Sequence, residues 1–271
     1  RLSEESFMKD IRFLSNLKVR ASWGELGNQE IGSDFPYTSA IGLGNANYLM
    51  GGKIVNGASQ TVLANKNIKW ETTATTNVGI DAGFFDQRLT LTADYYMRKT
   101  KDILLNIPIS VVTGLKAPIQ NVGNVENRGW DLSLNWQDRI SEFDYGIKFN
   151  LSDVKNEVTY LGGTQEIIAN NSIIRIGHPI YSIYGYETEG IFQTPEEIEG
   201  APSQFGSLQP GNIRYKDQLT VDTDGDGVMD AGDGVINADD RVIIGDQFPR
   251  FTYGINLNAG YKGFDLGIDL Q

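Results

Sequence analysis

Apolar and polar positions alternate with a period of two along much of this chain. That is the pattern of a strand whose two faces meet different surroundings, because successive side chains point to opposite sides. Trp130, Leu132, Leu134 and Trp136 share one face, while Asp131, Ser133 and Asn135 share the other. Phe143, Tyr145, Ile147, Phe149 and Leu151 stand against Asp144, Lys148 and Asn150. Leu89, Leu91, Ala93, Tyr95 and Met97 alternate with Thr90, Thr92, Asp94 and Arg98, and Phe251, Tyr253, Ile255, Leu257 and Ala259 with Thr252, Asn256 and Asn258. Weaker or truncated runs extend from Leu17 to Gly24, from Thr76 to Phe84 and from Phe264 to the end, which makes seven predicted strands. Two short helices are predicted as well. One covers 3–14, with Ser3 as N-cap and Phe7, Ile11 and Leu14 at helical spacing; the other starts at Thr194, with Pro195 in first position and Glu196 and Glu197 behind it.

The connections between these strands are very unequal. Short joints fall at Phe85 to Arg88, Asp138 to Glu142 and Tyr261 to Gly263; long ones run from Asn28 to Lys69, Asn106 to Glu126 and Val158 to Pro249. Long connections at every second joint place all the variable material on one rim, as in outer-membrane barrels with short periplasmic turns and long external loops. An antiparallel sandwich in water alternates too, so periodicity alone leaves both architectures open. Strands of about 9–11 residues, the unequal joints and aromatics near strand ends favour the barrel. Those aromatics are Trp23, Phe84, Trp130, Trp136, Tyr253, Tyr261 and Phe264. The predicted fold is therefore all-β, an antiparallel transmembrane β-barrel segment of about seven strands from a larger barrel. Residues 158–249 are its longest extracellular loop.

Composition narrows the classes further. Hydrophobic residues make up 40% of the chain, with 12 Tyr, 12 Phe and 4 Trp, which is too apolar and aromatic for disorder. No run approaches the roughly eighteen apolar residues of a spanning helix. The net charge of −12 argues against a nucleic-acid partner, which requires a basic face. Between Asp217 and Asp246 there are nine aspartates and one arginine, so this segment carries −8 of the −12. There is no Cys, which removes disulfides, thiolate metal sites and cysteine nucleophiles. The chain opens at Arg1 with no signal-like segment, and its start is read as internal.

One motif carries chemistry. DTDGDGVMDAGD places Asp222, Asp224, Asp226, Asp230 and Asp233 at loop positions 1, 3, 5, 9 and 12 of a calcium-binding template. Gly227 takes the sharp-turn position, and Val228 the position whose backbone carbonyl binds. Ca²⁺ favours six to eight hard oxygens, and clustered carboxylates repel unless a cation or water screens them. A structural Ca²⁺ is the expected cofactor; the plain alternative is a solvated acidic loop whose Gly and Asp serve turns. Asp233, Asn237 and Asp240 offer a second, overlapping frame. His178 is the single histidine, so no histidine cluster is available, and Glu187 with Glu189 makes only a weak glycosidase-like pair. No catalytic site can be assembled. Tyr37, Tyr48, Tyr181, Tyr184, Tyr186 and Phe192 suit either stacking on sugars or packing between loops.

Six stretches in order resemble the SusC/RagA-type TonB-dependent outer-membrane transporters of Bacteroidetes. They are Leu17 to Gln29, Ile68 to Asp81, Leu91 to Leu105, Asn121 to Trp136, Ile176 to Phe192 and Phe251 to Leu266. The resemblance implies a barrel of about 22 strands with an internal plug, and a location in the cell outer membrane, in contact with its lipid. It also implies a SusD-like surface lipoprotein as lid, energy from the TonB complex, and an oligosaccharide or peptide substrate. On this reading the plug, the TonB-contacting segment and the closing strand lie outside these residues. The competing reading is a secreted or surface-attached, calcium-stabilised sandwich that binds carbohydrate or acts as an adhesin.

Overall fold

The computed structural model describes residues 3, 5, 8, 11, 13–30, 37–44, 46–107 and 109–271. The helix predicted over 3–14 lies largely outside this set, as does Phe7. The chain divides into two compact units: 1–165 with 175–178 and 249–271, and 166–174 with 179–248.

The first unit is built on one antiparallel sheet of seven strands. These are β1 (Leu14–Asn28), β2 (Glu71–Phe84), β3 (Leu89–Asn106), β4 (Ile119–Ile140), β5 (Phe143–Tyr160), β6 (Phe251–Tyr261) and β7 (Phe264–Leu270). They pair in strict chain order. All seven predicted strands are present, in the single up-and-down wall of a partial barrel rather than in two packed sheets. The three short turns lie at one end of the sheet and the three long connections at the other. The β6–β7 turn has two residues between the Tyr261–Phe264 pair, Lys262 (φ 49) and Gly263 (φ 86). Positive φ at both centres matches the right-handed twist of the flanking strands.

Several strands run well past the predicted bounds: β3 and β5 have 18 residues each and β4 has 22. Alternation is legible only where one face meets an apolar medium. Beyond Trp130, β4 carries Asn127 on one face and Arg128 and Glu126 on the other, so the pattern vanishes while the ladder continues. The Asn28 to Lys69 connection also contains two small hairpins, Ile41–Leu43 with Ala58–Gln60 and Tyr48–Met50 with Lys53–Val55.

The second unit has a sheet of Glu166–Ala169, Ser172–Arg175, Ser182–Tyr186 and Arg241–Gly245, in that order. Thr188–Ile191 pairs with Ile213–Tyr215 beside it in sequence. Ile167, Ile173, Ile174, Tyr184, Phe192 and Ile236 are buried here. The predicted helix from Thr194 is present as Pro195–Glu199, with the Thr194 hydroxyl accepting the Glu197 N–H and Gly200 closing the C-terminus.

Candidate functional site

Cross-strand register assigns every wall residue to a face. Leu17, Ala82, Leu91, Leu134, Phe149, Ile255 and Leu270 stand side by side across all seven strands. The next row toward the long connections is Val19, Ile80, Ala93, Leu132, Leu151 and Tyr253, and the row after it includes Val78, Tyr95, Trp130 and Phe251. One face is thus apolar across these rows, interrupted in the last of them by Asp153, which sits between Trp130 and Phe251 and pairs with Arg250, and it is edged by aromatic rings. Trp23, Tyr95 and Tyr253 leave 69%, 51% and 58% of their surface exposed, which water would oppose and lipid would not. The first charged positions on this face of β4, Arg128 and Asp138, are ten residues apart. That is ~33 Å along a strand and about 25 Å across a membrane at the usual barrel tilt, the height of an outer-membrane apolar band.

Above that band the same face turns charged. Arg128 lies opposite Lys155 and Glu126 opposite Glu157, and Lys99 and Arg128 both pair with Glu126 while Lys155 pairs with Glu157.

The other face is polar and is tied by one ion-pair network. Arg20 donates through Nε and Nη2 to both oxygens of Asp81 (2.8 and 3.1 Å) and through Nη1 and Nη2 to both oxygens of Asp94 (3.1 and 3.0 Å). Thr92 Oγ1 donates to Asp81 at 3.2 Å. Gly79 sits between Arg20 and Asp94 in the register, and a Cβ there would overlap Asp94 Oδ1 and the guanidinium. Glycine is what lets Arg20 reach across β2 and join three strands.

The acidic loop lies in the second unit. Carboxylate oxygens of Asp222, Asp224 and Asp226 fall within 4.8 Å of one another. Asp222 accepts the N–H groups of Gly225 (2.7 Å) and Gly227 (2.8 Å); Asp224 accepts that of Asp226 and Asp226 that of Val228. The glycines turn sharply, with φ of 78 and 90 at Gly225 and Gly227. The N–H groups of Gly227 and Gly225 hold the Asp222 carboxyl below the usual aspartate range. Of the six predicted ligand positions, three carboxylates converge. Asp230 instead accepts the Thr223 hydroxyl (2.6 Å) and N–H (3.0 Å), which lower its pKa. Asp233 accepts the Val235 N–H, and Val228 is exposed. The three convergent groups are hard, ionised oxygens with lone pairs to spare, a donor set that suits Ca²⁺.

In the overlapping frame Asp240 is fully buried and accepts the N–H groups of Gln218 (2.8 Å) and Asn237 (2.7 Å). The next residue, Arg241, stacks on Tyr184 at 4.5 Å and donates to the carbonyls of Tyr184 and Asn170. Tyr184 and Phe192 are therefore buried packing residues, while Tyr186 joins Phe205 and Tyr215 in a three-ring cluster. Tyr48 and Tyr181 remain exposed. Glu187 binds Lys216 and Gln218 and Glu189 pairs with Arg214, so these carboxylates hold their hairpin rather than each other's chemistry.

Sequence reasoning does not find the Arg20 network. Part of it was accessible: counting back from the Phe85 to Arg88 turn puts Gly79 opposite Asp94. Arg20 was not, because a long connection separates β1 from β2 and leaves their register open.

A family model described as TonB dependent receptor-like, beta-barrel matches residues 10–271. Over its whole length the chain is 34% identical to TonB-dependent receptor P3 of Formosa agariphila, covering 27% of that protein. It is 31% identical to TonB-dependent receptor SusC of Bacteroides thetaiotaomicron, again over its whole length and 26% of that protein. The solved structure of the RagAB peptide transporter superposes with a TM-score of 0.78 at 26% identity, over 99% of this chain and 27% of that one. The chain thus spans about a quarter of the length of the relatives it matches. Its apolar face is a lipid-facing surface in the outer membrane, its polar face the lumen side, and the chain belongs to the TonB-dependent receptor β-barrel family, among the SusC- and RagA-like members.

Proposed function

We propose that this wall belongs to a TonB-energised importer that carries a nutrient oligosaccharide across the outer membrane, under a SusD-like surface lipoprotein lid. The observation that carries the reading is the seven-strand register, which separates an apolar band from a polar, ion-paired lumen face. A wall of that kind encloses an aqueous path. Similarity to SusC supports the importer assignment, and the peptide transport named for RagAB makes peptide the competing cargo. Expression of the full-length protein in a glycan-using host tests the proposal. Uptake should stop when TonB is deleted, and a surface lipoprotein should co-purify; recovery of the protein in the soluble periplasm would sink it.

We further propose that Asp222, Asp224 and Asp226 hold a structural Ca²⁺, with Val228, Asp230 and Asp233 completing the shell as the loop adjusts. The ion would offset the repulsion of three close carboxylates and pin the loop. Calorimetric titration of the full-length protein with Ca²⁺ should show binding that Asp224→Asn with Asp226→Asn abolishes. Absence of heat at millimolar Ca²⁺ removes the idea.

A further inference from the structure

The lumen face carries a second arrangement, which adjoins the Arg20 network. Register sets out a three-by-three grid of lumen-facing positions across β2, β3 and β4. Its rows are Thr75, Arg98, Asn127; then Asn77, Tyr96, Gly129; then Gly79, Asp94, Asp131. Tyr96 occupies the centre. Its ring reaches over the neighbouring strand, because a Cβ on Gly129 would lie 2.5 Å from the Tyr96 hydroxyl and 2.6 Å from its Cζ. The phenol end thus lies over Gly129, and the half-buried Tyr96 side chain stays partly open on the lumen side.

Several groups around it are unpaired among the described residues. Asp94 is occupied by Arg20. Thr75, Asn77, Arg98 and Asp131 make no side-chain hydrogen bond or ion pair among the described residues, and with Tyr96, Asn127 and Val154 they line a concavity of about 480 Å³. Asn127 uses its carbonyl oxygen to accept from Asn156 at 2.7 Å, which keeps its amide N–H groups available. Donors (Arg98, Asn77, Asn127) and acceptors (Asp131, Thr75) therefore surround a partly exposed aromatic ring.

That combination fits a saccharide. A pyranose presents an apolar C–H face suited to stacking on an aromatic ring and a rim of hydroxyls that both donate and accept. Arg98 and Asp131 cancel in charge, so the patch selects no ionic ligand. It offers neither a free strand edge nor an apolar side-chain pocket, the usual means of holding a peptide. We propose that this patch is a saccharide subsite on the lumen wall, with Tyr96 as the stacking platform and Asn77, Arg98, Asn127 and Asp131 as the hydrogen-bonding rim. It rests on the importer reading, since only then does cargo pass this face.

The test uses the full-length protein purified from outer membranes, with calorimetry against maltohexaose, laminarihexaose, xylohexaose and a mixed-sequence hexapeptide. At least one saccharide should bind, and Tyr96→Ala should weaken it about tenfold, the worth of one aromatic contact. Tyr96→Trp should keep the affinity. Heat-dependent gel migration confirms that each variant retains its barrel. Unchanged affinity in folded Tyr96→Ala, binding of the hexapeptide alone, or no saccharide binding by the wild-type protein overturns the subsite while leaving an outer-membrane importer standing. TonB-independent uptake or recovery outside the outer membrane would instead overturn the importer reading, and the subsite with it.

Discussion

In the wall, Val78, Tyr95 and Leu266 leave about half or more of their surface open, whereas in the second unit Phe192, Ile173 and Asp240 leave none. The two regions hide apolar surface by different means. The second unit closes around its own side chains and satisfies its buried carboxylate with backbone N–H groups, as a protein folded in water must. The wall is one sheet thick, with Leu132, Leu134 and their row neighbours turned to the outside, so its apolar face is completed by lipid. A substitution should therefore act by opposite rules in the two regions: loss of volume harms the second unit most, and gain of charge harms the wall most.

The largest effect is expected at Phe192. Phe192→Ala removes a fully buried ring and should destabilise the second unit by ~3–5 kcal/mol. Amide hydrogen exchange should accelerate across 179–248 while the wall strands keep their protection; equal acceleration in both would show that the two regions are one cooperative block. Next comes Leu134→Arg, near the middle of the apolar band between Arg128 and Asp138. It should cost ~2–4 kcal/mol of membrane stability and lower the yield of heat-modifiable barrel. Ser133→Arg, one residue away and lumen-facing, should cost much less. Equal losses at the two positions would mean that the faces are misassigned.

How much of this was legible beforehand follows the same division. Trp130 to Trp136 and Phe143 to Leu151 announced their strands because lipid on one side and water on the other force alternation. Residues 119–126 extend β4 without a period-two alternation, so they read as a loop. In the acidic loop the Asp222, Asp224, Asp226 spacing was plain, because the motif is local and three successive odd positions converge in a tight turn. That Asp230 would turn to Thr223 and Asp240 to Gln218 and Asn237 was not, since those partners depend on how the chain folds back. Tyr184 and Phe192 could serve ligand or packing equally well from sequence, and only burial separates the two.

Smaller effects are expected on the lumen side of the wall. Arg20→Gln keeps length but removes the charge that joins Asp81 and Asp94, leaving two carboxylates near each other across Gly79. These groups are partly exposed, so the loss should fall well short of that expected of a buried pair. The midpoint of unfolding in denaturant should fall modestly with an unchanged slope. A shift as large as that of Leu134→Arg would show that the network does more than tie three strands.

The smallest effect is the response of the acidic loop to acid, and it sets the two regions apart once more. Asp222 and Asp230 are held below their ordinary value of 3.8 by hydrogen bonds that favour the ionised form, from the Gly227 and Gly225 N–H groups and from Thr223. A carboxyl whose folded value is depressed contributes stability above its unfolded value and loses it as pH falls through the folded one. The loop should therefore be indifferent between pH 7 and pH 5 and should loosen below about pH 3.8. Protection of the Thr223, Gly225 and Gly227 amides, corrected for intrinsic exchange, should then drop at pH 3 relative to pH 6. Peptides from the apolar band of β4, which has no carboxylate on its lipid face between Trp130 and Trp136, should hold theirs. Undiminished protection of the loop at pH 3 would mean that its turns are fixed by backbone geometry at the glycines, and that the aspartates contribute only charge.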